Sequence, residues 1–528
     1  MDTSRCSKCG NSSAGLPTKA FDISVAPGTR HHTLLNSNEP PEDSDFAFIR
    51  SAVSSVDARL ACLDDEILDL EEKLRLLEEE RASLSSYRAR NRAILLPLRK
   101  FPPEVLGEIF AWSLPSITEA RRHKFDIADS PWIWTHVSSR WRAVSLATPS
   151  LWSRIIIDAD DVYPVSLIET QIQRAQKLKI HFYGCETADS RPQIQMFQLL
   201  SQHASRWEEF SVDLTSKMIP LLFALRDQLS SLERLWVQWD EPQSQAAVAS
   251  LDSFASAPSL VDVGIQNEFR FVPITLPVHQ LTRLQLDAPW ETHTTILKLA
   301  RNLIQVHIRI DFDDEPWPQT DETINLSHLR HLYLSHPEAL AYLTAPALDE
   351  LGFFVEQDDP LDIPPLVTSF LDRSACPVRR LCLRGSPDAY TISQILRQFS
   401  SIIELVIGTS IAGPTTRERA NTLMAALAVS SSTGSTTIAP HLSLVLLMCA
   451  QTNYMDYNTY FEMVNSRWQA ADCALKSAVL LTESGSGLDP ATLRRLHTLR
   501  QEGLDFLHLE GPAASMEMGA WEHYAWAL

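Results

Sequence analysis

Glycine is scarce, 16 in 528 residues, so a loop that cradles phosphates through bare backbone has little raw material. Positive charge is also short. Lys and Arg number 46 against 66 Asp and Glu, a formal charge of −20. A chain built to grip nucleic acid or an anionic membrane carries the opposite balance, so neither partner is expected. No apolar run approaches the roughly 20 residues of a membrane span. The longest strongly apolar piece lies near Leu442–Ala450. The opening MDTSRCSKCGNSS lacks the apolar centre of a signal peptide, so an intracellular protein of cytoplasm or nucleus is expected. Eight cysteines are spread over the whole chain, which is the usage of a reduced compartment and not of a disulfide framework.

Catalytic motifs are missing too. There is no Walker loop, no His-Glu-x-x-His and no Gly-x-Ser-x-Gly. Ser484-Gly485-Ser486-Gly487 is short and lacks a following Lys. Asp313-Asp314 and Asp358-Asp359 read as solvated turns, and Cys376 and Cys382 as buried thiols. Cys6 and Cys9 form one Cys-x-x-Cys, but a structural zinc site needs four ligands, and His31-His32 is badly spaced to complete it. Scattered histidines such as His307 and His331 fall at strand flanks. No enzyme, metal or cofactor is expected.

What is present suits a globular protein, with 45% apolar and 21% charged residues. The length is enough for a sizeable core. Residues 1–48 are rich in Ser, Thr, Asn, Pro and Gly without apolar period, which predicts a disordered tail. Residues 49–92 predict one long helix. Val53, Val56, Leu60, Leu63, Ile67, Leu70, Leu74, Leu77 and Leu84 step by three and four, broken by Arg81, with acids and bases on the other faces. The seam over 53–84 fits a homodimer, a helix that folds back on its own chain, or a lone amphipathic helix.

Residues 94–155 are the most informative. Phe101-Pro102-Pro103-Glu104 opens a helix, because proline is tolerated in a first turn and Glu104 suits the positive end of the helix dipole. Val105, Leu106, Ile109 and Phe110 supply its apolar stripe. After the polar interruption 116–131, Trp134, Val137, Trp141 and Val144 keep helical spacing. Thr148-Pro149-Ser150 breaks that helix before the anchor Leu151-Trp152.

This block resembles an F-box. The family pattern is Leu-Pro-x-Glu-Ile/Leu/Val-Leu, then Ile-Phe, then a helix with Val-Cys-x-x-Trp-Arg, then Leu-Trp. The matching residues are Phe101, Pro102, Glu104, Val105, Leu106, Ile109, Phe110, Val137, Trp141, Arg142, Leu151 and Trp152. Phe101 replaces the usual Leu, and Ser138 stands where Cys is common. The arrangement of a coiled-coil-like helix feeding this block is similar to F-box-like proteins abundant in mushroom-forming fungi. The resemblance covers about sixty residues. It implies docking to the Skp-type adaptor of a cullin–RING ubiquitin ligase, with the cullin scaffold beyond. The implied contact residues are Leu98, Phe101, Pro102, Pro103, Glu104, Val105, Leu106, Ile109, Phe110, Val137, Trp141, Leu151 and Trp152. Read from composition alone, the same residues could be an ordinary helical hairpin core.

From 165 to 528 the chain repeats apolar-x-x-apolar-x-apolar, a unit that suits a short strand. Copies start at Ala175, Trp207, Leu232, Leu260, Leu281, Leu303, Leu329, Leu348, Val378 and Ile402, and looser ones at Leu442 and Leu504. The mean spacing, about 25 residues, lies within the leucine-rich-repeat period. Helical text such as Thr391–Phe399 lies between copies. The expected architecture is α/β: a disordered tail, a coiled-coil-like helix, a helical F-box and an irregular leucine-rich-repeat solenoid with a parallel sheet on its concave face.

Strand-flanking positions would face solvent on that sheet. They include Arg234, Trp236, Arg283, Arg309, Tyr333, Phe354, Arg380 and Arg384, with Asp262, Asp287, Glu350 and Glu404 among them. Arg, Trp and Tyr suit a protein-binding face, and five arginines would favour an acidic or phosphorylated target. A merely solvated sheet surface would look the same. The expected function is substrate recognition for an SCF-type ligase, with a protein substrate on the repeats. The alternative is a non-catalytic repeat scaffold with a decayed F-box.

Overall fold

The computed structural model describes residues 24–115, 131–159, 163–312, 317, 322–355, 362–385, 388–409, 414–429, 437–449, 456–483 and 488–521. The pairs Cys6/Cys9, Asp313/Asp314 and Asp358/Asp359, the 484–487 segment and nearly all of the interruption 116–131 lie outside them. Helices and one large parallel sheet make an α/β protein with a helical N-terminal region. The chain forms two compact units, Met1–Pro102 and Pro103–Leu528.

The first unit holds α1 (Arg30–Asn36) and α2 (Asp43–Ile94). The expected disorder up to residue 48 is therefore corrected for residues 30–36 and 43–48. Local caps start both helices without any apolar period. Thr29 Oγ1 accepts from the His32 N–H at 3.2 Å, and the Glu42 N–H donates to Asp45 Oδ2 at 3.0 Å. Arg30 pairs with Glu39 and Asp45 at 2.5 and 3.3 Å. The 52 residues of α2 contain no Gly or Pro. At 1.5 Å per residue the helix is about 78 Å long. Arg75 braces it through Glu72 and Glu79, at 2.6 and 2.5 Å.

The second unit begins with α3 (Pro103–Trp112), α4 (Trp134–Val137) and α5 (Ser139–Ala147), closed by a 3₁₀ turn at Pro149–Trp152. The single helix expected through Trp134 and Val144 is two. Ser138 is extended, and its Oγ accepts from the Trp141 N–H, so it stops α4 and caps α5.

The sheet follows. Its strands are β1 (Arg154–Asp158), β2 (Leu178–Tyr183), β3 (Trp207–Leu214), β4 (Arg234–Trp239), β5 (Asp262–Ile265), β6 (Arg283–Ala288) and β7 (Gln305–Ile310). A two-residue strand β8 (Ile324–Asn325) pairs separately with β10 (Leu343–Thr344). The sheet continues through β9 (His331–Leu334), β11 (Glu350–Val355), β12 (Arg380–Gly385), β13 (Glu404–Thr409), β14 (Leu444–Cys449), β15 (Ser477–Thr482) and β16 (Asp505–Glu510). All fourteen pair in parallel and keep chain order.

The register stacks side chains into columns. Second and fourth strand positions form two buried apolar columns: Leu235 and Val237 beside Val263 and Ile265, then Leu284 and Leu286, Val306 and Ile308, onward to Val445 and Leu447. Stacked branched aliphatics about 4.8 Å apart are what the repeated spacing supplies. The first, third and fifth positions form the opposite face, here the open face, whose side chains pack on one another closely enough that Asp262, Asp287, Glu350 and Trp236 are buried and not solvated as expected. One expected copy is out of register. The Leu504 unit would turn Leu507 and Leu509 inward, but Phe506 pairs with Ala478 and is buried, while Leu507 faces the open side. A slip of one residue flips every side chain, and Phe506 offers more apolar surface to the core than Leu507.

Candidate functional site

Two regions of the second unit carry most of the candidate residues. The first is the helical block. Its implied docking residues divide into a core and a surface. Leu106, Phe110, Leu151 and Trp152 are buried, so they cannot touch a partner directly. Phe110 stacks on Trp134 with centroids 4.9 Å apart and tilts against Trp141 at 4.8 Å. The Trp152 indole N–H donates to Ser145 O at 2.8 Å, and the Arg174 guanidinium lies over the rings of Trp132 and Trp152. Such contacts hold the block rigid.

The surface set comprises Val105, Ile109 and Val137. Pro103 and Glu104 are exposed at the start of α3, and Trp141 is half-buried. Leu98 and Phe101 are half-buried and Pro102 exposed, at the end of the first unit. Trp112, which sequence reasoning missed, is 88% exposed. Val105, Ile109 and Trp112 stand at i, i+4 and i+7, so one face of α3 presents an apolar stripe. Ile133 and Val137 are a second exposed pair four residues apart. The missed signal was the spacing of Trp112 from Ile109, a helical neighbour just past the recognised motif.

The second region is the open face. Its first column alternates in charge: Glu209, Arg234, Asp262, Arg283, and farther on Glu350, Arg380 and Glu404. In-register neighbours pair. Arg234 bonds Glu209, Arg283 reaches Asp262 at 3.0 Å, and Arg380 reaches Glu404 at 2.6 Å and Glu350 at 3.3 Å. In the fifth column Arg309 lies 3.4 Å from Asp287 and 3.3 Å from Asp311. Four of the five predicted arginines thus meet carboxylates of this chain, and the case for an acidic target loses that support. Trp236 is buried, with its N–H donating to Gln238 Oε1 at 3.1 Å, so it is not a surface aromatic.

The face brings four of the eight predicted residues together. Arg309, Tyr333, Phe354 and Arg384 line a cavity of about 410 Å³ over β7, β9, β11 and β12. Arg234, Trp236, Arg283 and Arg380 do not line it. His307, Cys382 and Met448 do, and the sequence did not single them out for this face. His307 stacks on Tyr333 with centroids 4.2 Å apart. Beneath them Glu350 is buried and accepts from the Tyr333 hydroxyl, from Cys382 Sγ at 3.3 Å and from Arg380 Nη1 at 3.3 Å.

The electrostatics favour neutral donors. Burial pushes the Tyr333 phenol up, with Cys382 and Glu350 adding to it. Burial and then Glu350 push the Cys382 thiol well above its ordinary value. Both keep their protons and donate to Glu350; neither is an activated nucleophile. Burial also raises Asp262 to about 6 and Asp287 to about 7, and lowers His181 to about 3. The arrangement offers a shaped, partly aromatic recess whose polar groups are tied to one another. Among the described residues no cluster of His, Cys, Asp and Glu could hold a metal ion, and no helix is long and apolar enough to cross a membrane.

No protein-family model and no curated protein sequence matches this chain.

Proposed function

We propose that this chain is the substrate-recognition subunit of an SCF-type cullin–RING ubiquitin ligase. The block over residues 94–155 would hold the Skp-type adaptor, and the open face of the sheet a protein substrate. The observation that carries the reading is the exposed stripe Val105, Ile109 and Trp112 on a helix braced by the Phe110, Trp134 and Trp141 rings. A rigid helix with an apolar face and an aromatic anchor suits helix-to-groove docking. Two of the three stripe residues, Val105 and Ile109, belong to the F-box resemblance, which is independent of exposure.

The fold reading that goes with it is an irregular leucine-rich-repeat solenoid. Fourteen parallel strands in chain order, with apolar columns at the repeat spacing, support it. The chain itself does no covalent chemistry. It raises the effective concentration of substrate lysines near a charged ubiquitin-conjugating enzyme.

The test is a pulldown of the full chain with a recombinant Skp-type adaptor. Ile109→Asp with Trp112→Ala removes surface and no core. Binding should weaken at least 30-fold, roughly 2 kcal/mol, with an unchanged melting curve. Leu106→Asp should unfold the block and lose binding together with the melting transition. A folded wild-type chain that does not bind the adaptor overturns the reading.

A further inference from the structure

The open face changes character along the sheet. From β2 to β7 its third column reads His181, Ser211, Trp236, Gly264, Gln285 and His307. From β12 to β15 it reads Cys382, Val406, Leu446 and Val479. A contiguous apolar sheet face needs a cover, because water cannot satisfy it. The helix Pro512–Trp521 is that cover. It sends Ala514 and Met518, one turn apart, into a cluster with Cys382, Val406, Leu446, Met448, Val479 and Leu481, and these two are the cluster's only helical members.

Among the helix's described side chains, Ala514 and Met518 are buried. One is a methyl group, and the other is a flexible thioether that packs adaptably. The joint before the helix is Gly511, at φ +62° with nothing within 4 Å of a Cβ position. That conformation suits glycine and leaves the joint uncrowded. The covered surface also runs into the cavity. Cys382, Val406 and Met448 belong to both, so lifting the helix would lengthen the 410 Å³ recess into a cleft reaching Leu481.

We infer that Pro512–Trp521 is a resident stand-in for the ligand. The apolar stretch from Cys382 to Leu481 receives an amphipathic helix of a partner protein, with aliphatic side chains one turn apart, and that helix displaces this one to enter. The inference rests on the reading that the open face holds the substrate. The occupant is argued from the chemistry already seated there: a helix, laid on an apolar sheet face, gripping it with residues at i and i+4. A tethered occupant competes at an effective concentration near millimolar, so it reduces apparent affinity for partners by the fraction of time it is docked.

Two measurements on the full chain test this. The first is hydrogen exchange of the wild type. Amides of 513–521 should exchange at least 100-fold faster than those of β14 and β15. Exchange in step with those strands would make the helix an integral part of the sheet and overturn the proposal. The second uses a fluorescent synthetic peptide of this segment, GPAASMEMGAW, as the probe. Met518→Glu should release the resident helix, leave β14 and β15 protected, and tighten peptide binding at least tenfold over wild type. Equal binding to both chains overturns the proposal, as does loss of protection throughout β13 to β15. The adaptor pulldown reads α3 alone, so a chain that fails it but exchanges the peptide would lose the ligase reading and keep the displaceable helix.

Discussion

Gly352 lies directly across from Tyr333 in the register of β9 and β11, and the Tyr333 ring fills the space a side chain on Gly352 would need. A Cβ there would fall 2.4 Å from Tyr333 Cδ1. The absence of a side chain on one strand lets the aromatic ring of the next lie flat, stacked on His307 and donating to Glu350.

Gly352→Ala should therefore expel the ring and break both contacts. The expected loss is about 1–3 kcal/mol, the usual range for overpacking. Chemical denaturation measures it. Tyr333→Phe, which keeps the ring and removes the donor, should cost less, about 1 kcal/mol, because Cys382 and Arg380 still serve Glu350. Equal losses in the two variants would refute the steric account.

The seam of α2 is exposed at Val53, Val56, Leu60, Ile67, Leu70, Leu74, Leu77 and Leu84. Over about four heptads this suits a second copy of the same helix. Sedimentation should show a dimer for the wild type and a monomer for Leu70→Glu with Leu74→Glu. Arg81 is the one charged residue inside the seam, and Arg81→Leu should tighten association. A wild-type monomer at tens of micromolar would sink the idea.

Asp287 is fully buried, with the Asn267 backbone N–H and, at 3.4 Å, Arg309 Nη1 beside its carboxylate. Burial raises its carboxyl to about 7, and Arg309 only partly opposes this. Between the ordinary carboxylate value and pH 7 the folded chain holds a proton that the unfolded chain has released. Its contribution to stability is thus complete at low pH and is lost as pH rises through 7. Asp262 acts in the same direction up to about 6, and His181 in the opposite one below its ordinary value. Asp287→Asn should stabilise the chain more at pH 8.5 than at pH 5.5, by on the order of 2 kcal/mol, with the smallest effect near the ordinary carboxylate value. Thermal melts of both proteins across that range read the difference. A pH-independent difference would contradict the burial account.

Arg467 is buried in the helix Tyr457–Gln469 and donates to three backbone carbonyls: Leu427 at 2.8 Å, Ile438 at 3.0 Å and Ala439. It ties the end of the helix Pro414–Leu427 to the approach to β14. Arg467→Met should cost about 3 kcal/mol by leaving those carbonyls unpaired. Arg467→Lys should recover only part, since an ammonium lacks the planar fork. A loss below about 0.5 kcal/mol in the Met variant would show that water replaces the guanidinium.

Much of this was legible from one dimension. Strands fell where apolar-x-x-apolar-x-apolar recurs, because side chains alternate in a strand and the spacing names two inward positions. The long helix was legible from the Val53 to Leu84 seam, and α3 from the proline start at Pro103. Ser138 and Thr29 were readable caps that the apolar pattern overshadowed.

Chain order, local period and capping chemistry belong to the sequence, since each depends on residues a few positions apart. Tertiary structure decided the rest. Which of Leu106 and Ile109 is core depends on where Trp134 and Trp141 return to α3. Arg283 and Asp262 became partners because parallel register sets residues 21 positions apart side by side. Leu507 faced outward because Phe506 took the inward place. Ala514 and Met518 covered a face assembled from four distant strands. In each case the deciding neighbour is far along the chain, and its distance in space is set only when the sheet stacks.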